Sequence, residues 1–588
     1  MVACGYLVRA LGARSQREGS VPTVLSRFMI IRASIVPLLF LSATIHAQTY
    51  DWAFTHTGAA SRGMAAVADD AGNVYVCGNV NGVADFDPGP AEVLNVGNDA
   101  NGNIFLAKYG PAGNYIWHIA IGGSGTEIPK GLALDHSGNL VMVGRFDSYF
   151  DWDPGEAEVF FGSTGSVDGF LAKYDTSGAF VWARRIGGVG HDETYGVAVD
   201  EADNIYVAGQ ISGNVNFGTV AGPITLAHEA GVWDAFHARY QPDGGLAWVS
   251  GIQGTGGQRA QSIAYLQGYV YTYGVCSGET HADNVATLSV GNNNQAFLCK
   301  IDTLGTVQWL QGHGGVGSEI GEAIRADDAN LYIMGSFTDL TDADPGPGVI
   351  ELTSFGVGGN LYFAKLDTAG NALWANGLQG NNHFDGVCDI ACDVLGNVYV
   401  AGAHSVVQDF DPGPNETTLP MTIANDLFLA QYLSNGNFGW VRGVPTIGVF
   451  DTANGLATDA LGNVFMTGSF GDTAVFDINV PTDTLTGPGM AFFLAKYGTD
   501  ITTVVPAALA DHTLQLFPNP AQEAIMVRIP AGFPTDRMIL TDATGRILQR
   551  WDGAVPKQLD VQRLAPGPYH LHLWSGSERL SAGFVVVQ

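Results

Sequence analysis

Positive charge is scarce in this sequence. Only 26 of its 588 residues are Lys or Arg, against 57 Asp or Glu, and the formal net charge is −31. A phosphate backbone is bound through clustered Lys and Arg side chains, and the sequence holds no such cluster. Nucleic acid is therefore not expected as a partner, whereas divalent cations, basic proteins and neutral glycans remain open.

Cysteine is equally sparse, with six residues in the chain. Cys77 and Cys299 lie in apolar runs that resemble strands, and we interpret them as small buried hydrophobic residues. Cys388 and Cys392 are four residues apart, but no second pair of Cys or His residues accompanies them. The spacing is therefore not a zinc signature.

Long apolar runs are also missing, so no stable transmembrane segment is predicted. The strongest run, Ser34 to Ala47, is too short to span a bilayer, follows Arg27 and Arg32, and ends in small residues. These features predict a secretory signal peptide over residues 1–47, with Met29 as an alternative start closer to the apolar run. Its removal takes away five arginines and one glutamate, which changes the formal charge from −31 to −35.

A repeat dominates what is present. The spacing between successive tryptophans is 61 to 66 residues, and the phrases "GNVYV" and "FLAKY" recur in the same order between them. Each phrase is a short run rich in Val, Ile, Phe and Tyr, bounded by Gly, Asn or Asp, which is typical of antiparallel strands joined by tight turns. The repeated tryptophans are Trp52, Trp117, Trp182, Trp248, Trp309, Trp374 and Trp440.

The repeat predicts an all-β fold, a seven-bladed β-propeller over residues 48–500. Apolar residues occupy both the odd and the even positions of the strands, as expected for sheets covered on both faces by neighbouring sheets. The first strand, Tyr50 to Phe54, has no partner in its own repeat, and the last repeat lacks a final strand. We expect the first strand to complete the last blade and so close the ring.

The order "GLALD", "GNVYV", "FLAKY" and Trp over residues 50–498 resembles the bacterial beta-propeller repeat family SBBP. That resemblance implies a fold and an extracellular location, and it carries no single activity and no catalytic residues. The third and fourth repeats depart most from the pattern: "VNFGTVAGP" replaces the acidic loop between "GNVYV" and "FLAKY" in the third, and the fourth, the shortest at 61 residues, lacks that loop.

The acidic loop is the candidate site of the sequence. It reads "DFDPGP", "DWDPGE" or "DADPGP", and its two aspartates are two residues apart, so in an extended chain both carboxylates point to one side. One interpretation is that the carboxylates accept backbone N–H groups and lock the Pro-Gly turn. The other is a calcium site, which requires further oxygen ligands. The candidate metal ligands are Asp85, Asp87, Asp151, Asp153, Asp342, Asp344, Asp409 and Asp411.

Two other repeated residue types admit two interpretations each. Glu127, Glu193 and Glu319 follow glycine-rich turns. They could ring a rim or a channel mouth, but we favour solvated turn carboxylates, because most charged residues lie at the surface and few of them have a specific role. The tryptophans could stack on sugars, and we favour packing anchors at equivalent positions.

The end of the chain differs in composition. Residues 501–511 read as a linker, and residues 512–588 predict a small Ig-like β-sandwich of seven strands. "FPNPA" (Phe517 to Ala521), "DATGR" (Asp542 to Arg546) and "LAPGPYHLHL" (Leu564 to Leu573) closely resemble the type A C-terminal sorting domain of the type IX secretion system of Bacteroidota. The resemblance implies export across the outer membrane by the type IX machinery and release or surface attachment of the passenger.

Motifs of catalysis are absent from the sequence. There is no H-E-x-x-H, no G-x-S-x-G elbow between a strand and a helix, and no cofactor signature, and the histidines occupy different repeat positions. We therefore expect a secreted or cell-surface binding or structural module that contacts an extracellular protein or glycan. The alternative is a glycan-active enzyme, a lyase or hydrolase, with its site assembled from several blades on one face.

Overall fold

The computed structural model describes most of the chain from Gln48 onward. The described residues are 48–95, 102–217, 224–228, 232–282, 286–290, 293–354, 359–380, 389–422, 425–448, 451–477, 484–487, 489–498, 515–517, 524–529, 535, 537–542, 546–553, 555–565, 567–575 and 578–586. The predicted signal peptide and linker lie outside them, so the boundaries drawn there remain predictions.

Strands are the regular elements throughout these residues. Up to residue 498 they are β1 Thr49–Phe54, β2 Thr57–Ala68, β3 Val74–Asp85, β4 Asn103–Tyr109, β5 Tyr115–Ile121, β6 Ile128–Leu134, β7 Asn139–Phe146, β8 Tyr149–Asp151, β9 Phe160–Gly162, β10 Asp168–Asp175, β11 Phe180–Gly188, β12 Glu193–Val199, β13 Ile205–Ile211, β14 Val215–Asn216, β15 Thr225–Leu226, β16 Asp234–Tyr240, β17 Leu246–Gly254, β18 Gln258–Leu266, β19 Tyr269–Cys276, β20 Glu279–Ala282, β21 Ala286–Ser289, β22 Gln295–Asp302, β23 Val307–His313, β24 Glu319–Ala326, β25 Leu331–Phe337, β26 Leu340–Asp342, β27 Glu351–Thr353, β28 Asn360–Leu366, β29 Ala372–Gly377, β30 Gln379–Gly380, β31 Asp389–Cys392, β32 Val398–His404, β33 Gln408–Asp409, β34 Asp426–Tyr432, β35 Phe438–Val444, β36 Thr446–Ile447, β37 Thr452–Thr458, β38 Val464–Phe470, β39 Thr473–Val475, β40 Thr484–Thr486 and β41 Ala491–Gly498.

The main strands pair into antiparallel four-stranded units, which we number as sheets 1 to 7 along the chain. They are β2-β3-β4-β5, β6-β7-β10-β11, β12-β13-β16-β17, β18-β19-β22-β23, β24-β25-β28-β29, β31-β32-β34-β35 and β37-β38-β41-β1. The first strand of each sheet contacts the first strand of the next, and β37 contacts β2, so these strands form a closed ring around an axis. The all-β propeller prediction is confirmed.

Ring closure depends on the first strand, as the sequence predicted. β1 pairs with β41 in antiparallel register, with Phe54 opposite Leu494 and Thr49 opposite Gly498. Gln48, just before β1, is anchored by its side-chain amide to the Tyr399 hydroxyl and by its carbonyl to Arg442 Nε, both at 2.9 Å. The first strand is thus held by sheets 6 and 7 together.

The third strand of each sheet shows why the apolar runs occupy both parities. In β4, Ile104 and Leu106 pack into a core shared with sheet 2, whereas Phe105 and Ala107 pack into a core shared with sheet 7. All four side chains are fully buried. Because successive strand residues point to opposite faces, each sheet buries both faces against its two neighbours.

The repeated tryptophans join neighbouring sheets, and their interpretation as packing anchors is confirmed. The indole Nε1 of Trp52, Trp117, Trp182, Trp248 and Trp374 donates to a carbonyl in the turn of the following sheet at 2.9 to 3.2 Å. A glycine with φ near +80° in that turn lies against the indole ring, where a Cβ atom would come within 2.7 to 3.1 Å. These glycines are Gly113, Gly178, Gly244, Gly305 and Gly436.

The C-terminal part has its own core. Its strands form a three-stranded sheet and a four-stranded sheet, and Ile525, Leu540, Leu559 and Leu571 from the two sheets meet in one buried cluster. The strands are β42 Gln515–Phe517, β43 Ala524–Arg528, β44 Arg537–Asp542, β45 Ile547–Asp552, β46 Gln558–Asp560, β47 Gly567–Ser575 and β48 Glu578–Val586.

No helix within the described ranges has the length and apolar character needed to cross a membrane. Cys77, Cys276 and Cys299 are buried, Cys392 is partly buried, and none of the four forms a disulfide within the described residues. Cys77 and Cys299 thus behave as the small hydrophobic residues that the sequence indicated, whereas Cys388 lies outside the described residues.

Candidate functional site: the central channel

The first strands surround a cavity of about 1060 Å³, which we call the central channel. Each first strand whose start is described carries a β-bulge at the same register against its second strand. A bulge leaves one residue unpaired and turns its side chain in a new direction. All of the bulged residues line the channel: Met64, Lys130, Tyr195, Gln261, Glu322 and Asn454.

A glycine on the second strand makes each bulge possible. A Cβ atom on Gly144 would lie 2.2 Å from the carbonyl oxygen of Ile128, and one on Gly209 would lie 2.1 Å from that of Glu193. The same conflict arises at Gly78, Gly274, Gly335 and Gly468. The glycine that ends the "VYVxG" phrase therefore admits the bulged backbone, which in turn directs a side chain into the channel.

Cationic side chains gather on the side of the channel formed by sheets 1 to 4. Lys130, Arg145 and Arg259 line the channel, and Arg62 of β2 is close enough to lower the pKa of Lys130. Burial is the larger cause of that lowered pKa, the three guanidinium groups add to it, and Glu193 opposes it. The four cations thus repel one another within a partly buried site.

Glu193 is the acid within this group. Its Oε1 lies 3.1 Å from Arg145 Nη1 and 2.5 Å from His191 Nε2. Burial opposes its ionisation, but the His191 hydrogen bond and the charges of Arg145 and Lys130 outweigh burial and lower its pKa. Burial and the neighbouring Glu193 raise the pKa of Tyr195, so the phenol stays protonated and is a hydrogen-bond donor in the channel.

The opposite side of the channel carries acids and one ion pair. Burial raises the pKa of Glu322 to about 7, although Ser336 Oγ donates to its Oε1 at 3.1 Å. Arg325 Nη2 of sheet 5 and Asp389 Oδ1 of sheet 6 are 2.6 Å apart. Since Ala133, Ala198, Ala264, Ala391 and Ala457 occupy the position of Arg325 in other sheets, this ion pair is specific to one place in the ring.

The acidic loops lie elsewhere, between the second and third strands of their sheets. In each loop the first aspartate accepts two backbone N–H groups through Oδ1, at 2.7 to 3.1 Å: Asp85 from Asp87 and Val93, Asp151 from Asp153 and Val159, Asp342 from Asp344 and Ile350, and Asp409 from Asp411 and Thr417. The second aspartate accepts the N–H of the turn glycine at 2.7 or 2.8 Å: Asp87 from Gly89, Asp153 from Gly155, Asp344 from Gly346, and Asp411 from Gly413.

The residue between the two aspartates points the other way. Phe86, Trp152, Ala343 and Phe410 are fully buried, as the alternation of an extended chain requires. The carbonyls of Phe86, Trp152 and Phe410 accept the hydroxyls of Tyr109, Tyr174 and Tyr432 from the third strands. These contacts support the turn-lock interpretation of the loops.

The calcium interpretation of the eight aspartates remains a prediction. Across the described part of the chain, no three or more His, Cys, Asp or Glu side chains form a group suited to a metal ion. Each loop brings together two carboxylates, and calcium prefers six to eight oxygen ligands. Any further ligands would therefore be carbonyls or water.

The prediction that Glu127, Glu193 and Glu319 are solvated turn carboxylates is wrong. Their exposed fractions are 0%, 6% and 0%. Glu127 and Glu319 accept N–H groups of Gly123 and Gly315, so they close the glycine-rich turns from inside, and burial raises the pKa of Glu319 to about 7. The bulges place Lys130 and Tyr195 at equivalent positions, so Glu193 lies one residue further along its strand than Glu127 does. Glu193 pairs with Arg145 instead of closing a turn.

Two segments match known families. Residues 181–216 match the beta-propeller repeat SBBP, and residues 515–587 match the secretion system C-terminal sorting domain. The chain is thus a β-propeller protein with a type IX sorting domain, and it is exported to the cell surface or the extracellular space.

Individual relatives are distant. An uncharacterized WD repeat-containing protein, L264, of Acanthamoeba polyphaga mimivirus is 22% identical over 432 residues, which cover 60% of this chain and 31% of that protein. The regulatory protein FlaEY of Caulobacter vibrioides is 23% identical over 173 residues, which cover 29% of this chain and 17% of FlaEY. The matched parts are less than a third of the length of either relative.

Solved structures share even less sequence. A protein of unknown function from Dyadobacter fermentans has a TM-score of 0.36 and 9% identity, covering 76% of this chain and 98% of its own. A lignostilbene dioxygenase from Pseudomonas brassicacearum has a TM-score of 0.32 and 9% identity, covering 76% and 93%. TM-scores this low do not establish a common arrangement of strands.

Proposed function

We propose that this exported protein is a binding module whose ligand occupies the central channel of the propeller. The observation that carries the proposal is the variety of the bulged residues. Met64, Lys130, Tyr195, Gln261, Glu322 and Asn454 hold equivalent positions in their sheets, yet they have six different side chains. Structural positions of the same repeat, such as the tryptophans, keep one residue type.

The channel has the size and chemistry of a small-molecule site. Its volume of about 1060 Å³ lies just above the usual range for ligand pockets, roughly 300 to 1000 Å³. Its wall combines alanine and valine side chains with a few polar groups of fixed position, which is the usual composition of such sites. A polar ligand would find donors at Lys130 and Gln261.

Blocking the channel tests this function. We expect Ala133→Trp, which places an indole on the channel wall, to abolish the thermal stabilisation of the purified mature protein by a ligand from a panel of neutral sugars, acidic sugars and small carboxylates. Val394→Trp alters an exposed surface residue, 74% accessible, and should preserve the response. Equal responses of both variants, or a panel to which the wild type does not respond, would contradict the proposal.

A glycan-active enzyme is the second candidate, and one observation favours it. The pKa of Glu322, about 7, suits a general acid or base at neutral pH, and the residue faces the same channel as Tyr195. If the bound ligand is also a substrate, Glu322→Gln should retain binding and lose turnover. Unchanged turnover in that variant would remove Glu322 from the chemistry.

A further inference from the structure

The cationic side of the channel stands out against the charge of the whole protein. In a chain with a formal net charge of −31, four cations converge on one place from different strands. They are Arg62 of β2, Lys130 of β6, Arg145 of β7 and Arg259 of β18, and Glu193 is the one carboxylate paired with this group within the described residues.

Elsewhere in the propeller the buried cations have carboxylate partners. Lys173 lies 2.7 Å from Asp135, and Lys496 lies 2.9 Å from Asp51. The partly exposed Arg325 likewise pairs with Asp389. Such pairing is the ordinary condition of a buried charge, because an unpaired charge loses its hydration without compensation. Among the channel cations Arg145 has the carboxylate partner Glu193, whereas Arg62, Lys130 and Arg259 are an exception within the described residues that stability alone does not explain.

Their hydrogen-bonding capacity is largely unused. Arg62 donates from Nη2 to the sulfur of Met490 at 3.5 Å, and its Nε is buried without an acceptor. Arg145 contacts Glu193 through Nη1, and its Nε is also buried without an acceptor among the described residues. Arg259 donates from Nε to the neutral Gln210 amide oxygen at 2.8 Å and lies over the Trp233 ring.

The surroundings hold these groups in place. Gln210 and Trp233 orient Arg259, and Glu193 orients Arg145, so both guanidinium groups are fixed before any ligand arrives. The mutual repulsion that contributes to the lowered pKa of Lys130 is relieved when negative charge enters the group. Fixed, mutually repelling and under-bonded cations are the features of an anion site in a protein.

We propose that Arg62, Lys130, Arg145 and Arg259 form a binding site for the oxyanion groups of a small, multiply charged ligand in the central channel. The inference rests on the proposed function and specifies its ligand class. Carboxylate, phosphate and sulfate groups share the planar or tetrahedral oxygens that guanidinium and ammonium groups recognise. A net charge of three on the site matches a ligand with two or more negative charges.

Calorimetric titration of the mature protein at low ionic strength tests the site, with citrate, inorganic phosphate and sodium sulfate as separate probes. We expect at least one probe to bind with one-to-one stoichiometry, and its Kd to increase at least tenfold in Lys130→Met and in Arg259→Gln. Lys557→Met removes an equal charge from an exposed residue of the C-terminal part and should leave Kd within twofold. Circular dichroism checks that each variant is folded. If one of the two channel variants misfolds, the other still tests the site.

Three results would overturn the inference: no binding of any probe to the wild type, equal Kd in Lys130→Met and wild type, or an equal loss in Lys557→Met. Comparison of the probes identifies which oxyanion is preferred. Suppose that an uncharged ligand binds, that Ala133→Trp blocks its binding, and that none of the three anions binds. The proposed function is then supported and the anion site is refuted. If neither class binds, both fall.

Discussion

The acidic loops and the bulges that face the central channel both recur around the same ring, but the loops conserve side chains and the bulges conserve a backbone conformation. The loops repeat side chains: two aspartates flank a buried residue in sheets 1, 2, 5 and 6, with the same hydrogen bonds in each. The channel repeats a backbone feature, the bulge, and varies the side chain that it presents. Like residues at equivalent positions serve the packing of every sheet, whereas unlike residues at equivalent positions can serve one ligand contacted from many sides.

This comparison predicts that loop substitutions change stability and channel substitutions change binding. The largest expected effect is at the buried residue of the first loop. Phe86 stacks on His118 and contacts Phe105 at centroid distances of 4.1 and 5.3 Å. Phe86→Ala should lower the free energy of unfolding by about 3–5 kcal/mol, because it leaves a cavity in the core.

Urea unfolding of the mature protein, followed by tryptophan fluorescence, measures this loss. Gln261→Ala is the matched channel variant, and it should change the free energy of unfolding by less than about 0.5 kcal/mol, because the side chain faces the open channel. A loss below about 1 kcal/mol in Phe86→Ala, or a larger loss in Gln261→Ala, would break the comparison.

The pH dependence of stability sharpens the comparison inside the channel. Burial raises the pKa of Glu322 from 4.5 to about 7. The free energy of unfolding that protonated Glu322 contributes is therefore fully present below pH 4.5 and is lost as pH rises through about 7. Between pH 4.5 and 8, wild-type stability should therefore fall relative to Glu322→Gln by on the order of 1–3 kcal/mol. Urea unfolding of both proteins across this range measures the difference.

Glu351→Gln, at an exposed position of β27, should track the wild type throughout the same range. A difference between Glu322→Gln and wild type that stays constant with pH would show that Glu322 ionises as freely as a solvated glutamate. The carboxylate would then not be available near neutrality as a proton donor.

The smallest effect is expected at the aspartates of one loop. The double variant Asp85→Asn and Asp87→Asn weakens three hydrogen bonds to a carboxylate and should lower the free energy of unfolding by about 1–2 kcal/mol in the absence of calcium. Urea unfolding in EDTA measures this loss. Channel ligands should bind the variant with unchanged affinity.

Calcium titration of the same pair of proteins separates the two interpretations of the loops. If the loops bind calcium, the wild type should give heat that fits about four sites, one for each acidic loop, and the double variant should lose one of them. A flat trace with wild-type protein would contradict the calcium interpretation and leave the turn lock.

The architecture was predictable because it repeats. Trp182 and Trp248 make the same contacts in different sheets, as do Phe86 and Phe410, so these residues recur in the sequence at a regular spacing. That spacing was enough to predict the all-β class and the pairing of β1 with β41. The turn-lock role of Asp85 and Asp87 was likewise predictable, because Asp before a Pro-Gly turn has a local chemistry.

The channel site was not predictable in the same way. Lys130, Tyr195 and Gln261 share no residue type, and a bulge shifts the inward direction by one residue without altering the alternation of the strand. Glu193 was grouped with Glu127 and Glu319 because it also follows a glycine-rich turn, although Asp192 holds the equivalent position and accepts the N–H of Gly188. The glycine of "VYVxG", such as Gly144 or Gly209, was the available signal, since an invariant glycine inside a buried strand indicates a bulge opposite it.

The pairing of β1 with β41 has a mechanical consequence. The chain leaves the propeller through β41, which is an interior strand flanked by β38 on one side and β1 on the other. Tension applied beyond Gly498 must therefore break two ladders of hydrogen bonds before the seventh sheet opens. β1, the first strand of the propeller, thus bears part of any force that is applied through the connection to the C-terminal domain.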